Sequence, residues 1–67
     1  MKGEAEVLRE ALGDLHKGET LERTVGRIVR RHNGSYSDYV RIMDSVRDLA
    51  NRERLTPMQA AQKLAQL

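Results

Sequence analysis

A small all-α domain is what this 67-residue sequence predicts, and three observations predict it. Apolar residues recur at helical spacing in four segments, and no stretch alternates with period two over a useful length. Those segments are separated by brief turn signals, Lys17-Gly18, Asn33-Gly34 and Thr56-Pro57. The connections are short, which for four helices means a bundle or an orthogonal array, with crossing angles the sequence leaves open. There is no internal repeat, low-complexity tract or linker, so residues 1–67 are expected to form one domain.

The first helix is expected over about residues 4–16. Val7, Leu8, Ala11, Leu12 and Leu15 share one face, and Glu4, Glu6 and Glu10 lie early, where the positive helix end favours acids. Gly18 is its expected left-handed stop. The second helix is expected over about residues 20–32, with Leu21, Val25, Ile28 and Val29 as its apolar stripe. His32 continues that stripe, which makes it a partly buried, hydrogen-bonded residue, and Asn33-Gly34 ends the helix.

The third helix is the longest, about residues 36–54. Ser35 or Ser37 serves as its N-cap, and Ser35 followed by Asp38 fits a loose capping box. Tyr36, Tyr39, Met43, Val46 and Ala50 fit a heptad seam, while Ile42 and Leu49 widen one flank. So wide an apolar arc belongs to a central helix or to one that touches a second subunit. The fourth helix, about residues 57–66, has the sharpest start. Thr56 is the N-cap, Pro57 takes the first helical position, and Gln59 completes a T-x-x-Q box. Ala60, Ala61 and Leu64 are its packing residues.

Composition narrows the function. With no Cys there is no disulfide and no thiolate nucleophile or metal ligand. No apolar run reaches the roughly 18 residues of a membrane span, and no apolar leader follows Met1-Lys2-Gly3, so a soluble cytoplasmic protein is expected. His16 and His32 cannot make a zinc site alone. Asp44 and Asp48 lack a third ligand at suitable spacing, and no Ser–His–Asp or paired-carboxylate arrangement is present. No catalytic residue, metal, cofactor or small-molecule substrate is therefore expected. Phe and Trp are absent, and a core this small often gains its missing burial by oligomerising. The leading expectation is a non-catalytic interaction module that homodimerises or docks on another protein, with Tyr39, Ile42, Val46 and Leu49 as the contact.

Charge supplies the alternative. Residues 1–22 carry three basic and six acidic groups, and residues 23–67 carry nine basic and four acidic. Arg23, Arg27, Arg30 and Arg31 fall along one side of the second helix with no acid between them. Arginine suits bidentate contact with phosphate. With Ser35 at a helix start, Tyr36 able to stack or hydrogen-bond, and Arg41 beyond, these residues outline an anion face and an alternative DNA-binding function. The bland alternative is a solvated face whose arginines pair with acids of the first helix or of another subunit. On the third helix, Arg41–Asp44, Asp44–Arg47 and Asp48–Arg52 are spaced to form a surface ladder of ion pairs.

Two segments resemble parts of helix-turn-helix units. In residues 26–46, Gly34 falls at the turn glycine and Val40 and Met43 at buried positions of the second helix. Arg30 and Ser35 stand where small or apolar residues belong. The resemblance implies that Ser35, Ser37, Asp38 and Arg41 would face bases. Leu55-Thr56-Pro57, followed by Ala60, Ala61 and Leu64, is similar to the opening helix of such units. No recognition helix follows it in this sequence, so a well-capped packing helix is the expectation there.

Overall fold

The computed structural model describes residues 3–67. Met1 and Lys2, read above as part of a leaderless start, lie outside the described residues. The fold is all-α: α1 (Glu4–Gly13), α2 (Leu21–Arg31), α3 (Tyr36–Glu53) and α4 (Pro57–Leu64). Helix α1 packs on α2 and α4, and α3 packs on α4. The contact between α2 and α3 is the sparsest of these four pairings. Among the described residues no helix is long and apolar enough to cross a membrane.

One core draws on all four helices. Val7, Leu8 and Ala11 meet Leu21, Val25, Ile28 and Val29 from α2, with Ile42, Val46, Leu49 and Ala50 from α3. Helix α4 and its C-cap add only alanines, Ala60, Ala61 and Ala65. Small side chains let the α4 backbone come close to α1, where Arg9 Nε donates to the Ala65 carbonyl at 3.0 Å. Thr24 is the one polar residue buried among the described residues, and its hydroxyl donates back to the Thr20 carbonyl at 3.0 Å. That bond satisfies a donor that would otherwise be costly to bury.

Three of the four helix ends anticipated from sequence differ by a residue or two, and one differs more. Helix α1 stops at Gly13, three residues short of the expected end. Glycine is a poor helix former, and the Asp14 carbonyl is drawn away to accept from Arg27 Nη2 at 2.9 Å. Gly18 does take a left-handed φ of 81°, but it turns the loop that follows rather than capping the helix. His16 is therefore a loop residue, not the end of a helix.

The end of α2 follows the Asn33-Gly34 signal closely. Asn33 takes the left-handed conformation at φ 60°. Its N–H donates to the Arg30 carbonyl at 3.0 Å and the Gly34 N–H to Val29 at 2.8 Å, the two bonds of a Schellman ending. Both anticipated capping boxes form, Ser35 with Asp38 and Thr56 with Gln59.

One expectation is corrected here. The proposed contact surface on α3 is not a surface. Ile42 and Val46 are 1% exposed and Leu49 is 7% exposed, all within the core of a single chain. The wide apolar arc arises because this flank of α3 lies in the core that all four helices share. On the seam side Tyr39 and Met43 are partly buried against the core, and Tyr36 is exposed.

Candidate functional site

Helix α2 divides its arginines between two neighbours. Arg27 and Arg31 reach the end of α1 and the loop after it. Arg27 Nη1 donates to Glu19 Oε2, and its Nη2 donates to Asp14 Oδ2 at 3.1 Å. Arg31 donates to Glu10 at 3.0 Å and shares the Asp14 carboxylate at 3.1 Å. His32 Nε2 lies 2.9 Å from the other Glu10 oxygen, which makes His32 the half-buried, hydrogen-bonded residue anticipated from its stripe position.

The electrostatic consequences follow from those bonds. The Arg27 guanidinium, with the His16 N–H, holds the Glu19 carboxyl down at about 2. Arg27 and then Arg31 hold Asp14 below its ordinary value. Glu19 and Asp14 in turn hold Arg27 more firmly in its charged form. This network is therefore a clamp between α2 and the α1 region. It leaves Arg27 and Arg31 committed to carboxylates, and the sequence's acidic first third and basic remainder meet here.

Arg23 and Arg30 point elsewhere. With Glu22, Gly26, Val29, Gly34, Ser35, Tyr36 and Tyr39 they line a groove of about 600 Å³ between α2 and the start of α3. Among the described residues neither Arg23 nor Arg30 has an ion-pair partner within 4 Å. Tyr36 is 79% exposed and stacks on Tyr39, with ring centroids 5.8 Å apart and planes 29° from parallel. The Tyr39 ring lies over Gly26, where a Cβ would stand 3.7 Å from the ring. Burial, then the nearby Glu22 charge, push the Tyr39 phenol above its ordinary value.

The start of α3 offers less to an anion than its position suggests. The Ser35 N–H donates to Asp38 Oδ2 at 2.8 Å, and its hydroxyl lies 3.1 Å from the same oxygen. The hydroxyl oxygen accepts from the Asp38 N–H at 3.2 Å. Backbone and hydroxyl donation from Ser35 hold the Asp38 carboxyl below its ordinary value. Ser35 is thus a cap whose polar groups are already used. Arg41 sits one turn further on, 3.7 Å from Asp38.

Of the anticipated anion residues, the structure brings together Arg23, Arg30, Ser35 and Tyr36 around one groove and sends Arg27 and Arg31 to α1. Tyr39, assigned above to a protein contact, joins that groove. Glu22 and Gly26 line it too and were not singled out from sequence. Their signal is the spacing of 22, 26 and 30, which places the three on one helix row.

The expected surface ladder on α3 forms in part. Arg47–Asp44 closes at 2.7 Å, while Arg41 turns to Asp38 rather than Asp44. Among the described residues no three His, Asp or Glu side chains gather as a metal-ligating group. No family model matches the chain, and comparison with curated proteins and with solved structures gives no match either.

Proposed function

We propose that this chain is a non-catalytic helical interaction module and that the α2–α3 groove is its docking face. The observation that carries this reading is the tyrosine pair at the groove. A solvent-exposed Tyr36 stacked on Tyr39 presents a rigid aromatic surface, flanked by Arg23 and Arg30. Tyrosine and arginine are the residue types on which protein interfaces concentrate their binding energy. The sparse α2–α3 packing keeps this surface open, whereas the arginines of the opposite side are held by carboxylates of the same chain.

DNA binding is the second reading. It is favoured by Arg23, Arg30 and an exposed ring at one groove mouth, since phosphates and a stacked base could use all three. It has lost two of its four arginines to the α1 clamp and the Ser35 donors to Asp38. Glu22 in the groove also opposes a polyanion.

Position-specific photo-crosslinking in cells tests both. A benzophenone amino acid at position 36 is compared with one at position 62, on the α1–α4 side of the molecule. The interaction reading expects protein adducts, identified by mass, that depend on position 36 and disappear with Tyr39→Ala. Nuclease-sensitive adducts from position 36 would favour the DNA reading. Equal or absent adducts from both positions would sink the groove as a docking face.

A further inference from the structure

We propose that the occupant of this groove is a second copy of the chain. It lies across α2 antiparallel, about a two-fold axis near Gly26, with Glu22 of each copy against Arg30 of the partner subunit. The inference rests on the interaction reading and goes on to name the partner.

Three features of one helix row carry it. Glu22, Gly26 and Arg30 are spaced four residues apart, so they form one ridge along α2, with about 12 Å of axial rise from first to last. All three line or border the open groove, and Glu22 and Arg30 are both exposed. Among the described residues neither has an ion-pair partner within 4 Å.

The row is self-complementary when reversed. Its ends carry opposite charges, and its middle, Gly26, is covered by the uncharged Tyr39 ring. A two-fold axis through the middle makes each end meet the opposite end of the other copy, so the same patch serves on both sides. The Tyr39 ring that lies over Gly26 stands at the crossing point, so the two copies meet there ring to ring. Tyr36, stacked on Tyr39, adds apolar area beside the crossing from both copies.

The mixed sign of the row also discriminates among occupants. A uniformly acidic segment would suit Arg23 and Arg30 but would face Glu22 with like charge. A nucleic-acid backbone has the same defect. A second copy supplies an acid and a base in the order that Glu22 and Arg30 require. The need for added burial is visible as well. The fully buried core holds no aromatic side chain, and α4 gives it only alanines, with Met58 and Leu64 packed against it half-buried.

The test is sedimentation equilibrium of the full chain across a wide concentration range. Circular dichroism confirms that each variant is folded, which the exposure of both positions favours. The wild-type chain is expected to show a reversible monomer–dimer equilibrium. Glu22→Arg and Arg30→Glu should each weaken it by at least about tenfold, because two like-charge pairs replace two opposite pairs. An equimolar mixture of the two variants should restore association as a heterodimer, since every facing pair is again opposite. A chain that is monomeric at all concentrations would overturn the inference. So would a dimer indifferent to both charge reversals, or a mixture no tighter than its components. A monomeric chain whose position 36 still crosslinks to another protein would end the self-docking inference and leave the interaction module standing.

Discussion

The two long sides of α2 carry the same kind of residue to opposite ends. On the side facing α1, Arg27 and Arg31 are gripped by Glu10, Asp14 and Glu19. On the side facing α3, Arg23 and Arg30 stand beside an exposed tyrosine with no acid of the described residues in ion-pair range. Arg27 and Arg30 are only three residues apart. What separates them is the neighbour: α1 and its loop bring carboxylates, while the start of α3 brings rings and a capped serine. An arginine-rich helix is thus not one functional patch. It is divided by whatever packs against it, and only the part left over is available to a partner.

The most severe way to test that division is to compare a residue that builds the fold with one that only faces the groove. Ile28 is fully buried and Tyr36 is 79% exposed. Ile28→Ala should cost about 2–5 kcal/mol, the usual penalty for emptying a packed site. For a domain this small that is enough to leave much of the population unfolded. Tyr36→Ala should stay within about 0.5 kcal/mol, as surface changes do. Urea unfolding midpoints at low protein concentration measure both. A comparable loss at the two positions would mean the groove face is part of the structural core.

A second comparison sets the clamp against the groove directly. Arg27→Gln should lower Tm clearly at neutral pH, while Arg30→Gln should leave it nearly unchanged. Acid should erase that difference. The Glu19 and Asp14 carboxyls lie below their ordinary values in the folded state. A depressed folded value means the stabilisation is fully present above the unfolded value of about 4.5 for a glutamate and is lost as protons bind the folded form. For Glu19 the loss runs from about 4.5 down to about 2. Thermal melts at pH 7 and pH 2.5 read this out, with the Arg27→Gln deficit shrinking toward the Arg30→Gln value. A deficit independent of pH would show that Arg27 acts through packing of its stem rather than through its ion pairs.

How much of this was legible before the structure depends on the range of the signal. Helix starts were legible because their determinants are local. Ser35 with Asp38 and Thr56 with Gln59 each close a box within four residues. The end of α1 was less so, because it depends on Arg27, thirteen residues beyond Asp14, drawing that carbonyl away. The arginine stripe was visible as a stripe, but its division was not. Arg23, Arg27, Arg30 and Arg31 share one side in any helical projection, and which acids they meet is a matter of tertiary placement. The uneven charge along the chain was a hint, since the acids of the first third had to go somewhere. For the same reason the sequence does not show that Ile42, Val46 and Leu49 lie in the core. An apolar arc shows how much of a helix is covered, not which part its own chain covers. Ile42 and Leu49 turned inward, and Tyr36 and Tyr39 remained at the groove.

Ser35 offers a smaller test of what belongs to the fold and what to the groove. Its hydroxyl accepts from Asp38 N–H as an N-cap should. Ser35→Ala should therefore cost about 1 kcal/mol in the isolated chain, and Ser35→Gly only a few tenths. Neither change should alter how the protein associates at its groove, because the Ser35 donors are already engaged. Stability loss measured by urea unfolding, with the dimerisation constant unmoved, would keep Ser35 on the structural side of the comparison. A change in association without a change in stability would return it to the binding face.

Gly26 gives the finest test, because stability should rise while association holds. A glycine inside a helix costs roughly 0.5–1 kcal/mol relative to alanine. The added Cβ would meet the Tyr39 ring at 3.7 Å, an ordinary van der Waals contact that asks nothing to shift. Gly26→Ala should therefore stabilise the monomer by up to about 1 kcal/mol. The methyl group is covered by the Tyr39 ring of its own chain, so the dimer should form as before. Unfolding must be followed at a concentration where the chain is monomeric, since dimerisation would add its own concentration-dependent stability. A variant that is more stable alone and associates as before fits a crossing built on the Tyr39 ring. One that is more stable but associates less would put Gly26 itself in the contact, with the Tyr39 ring displaced from it.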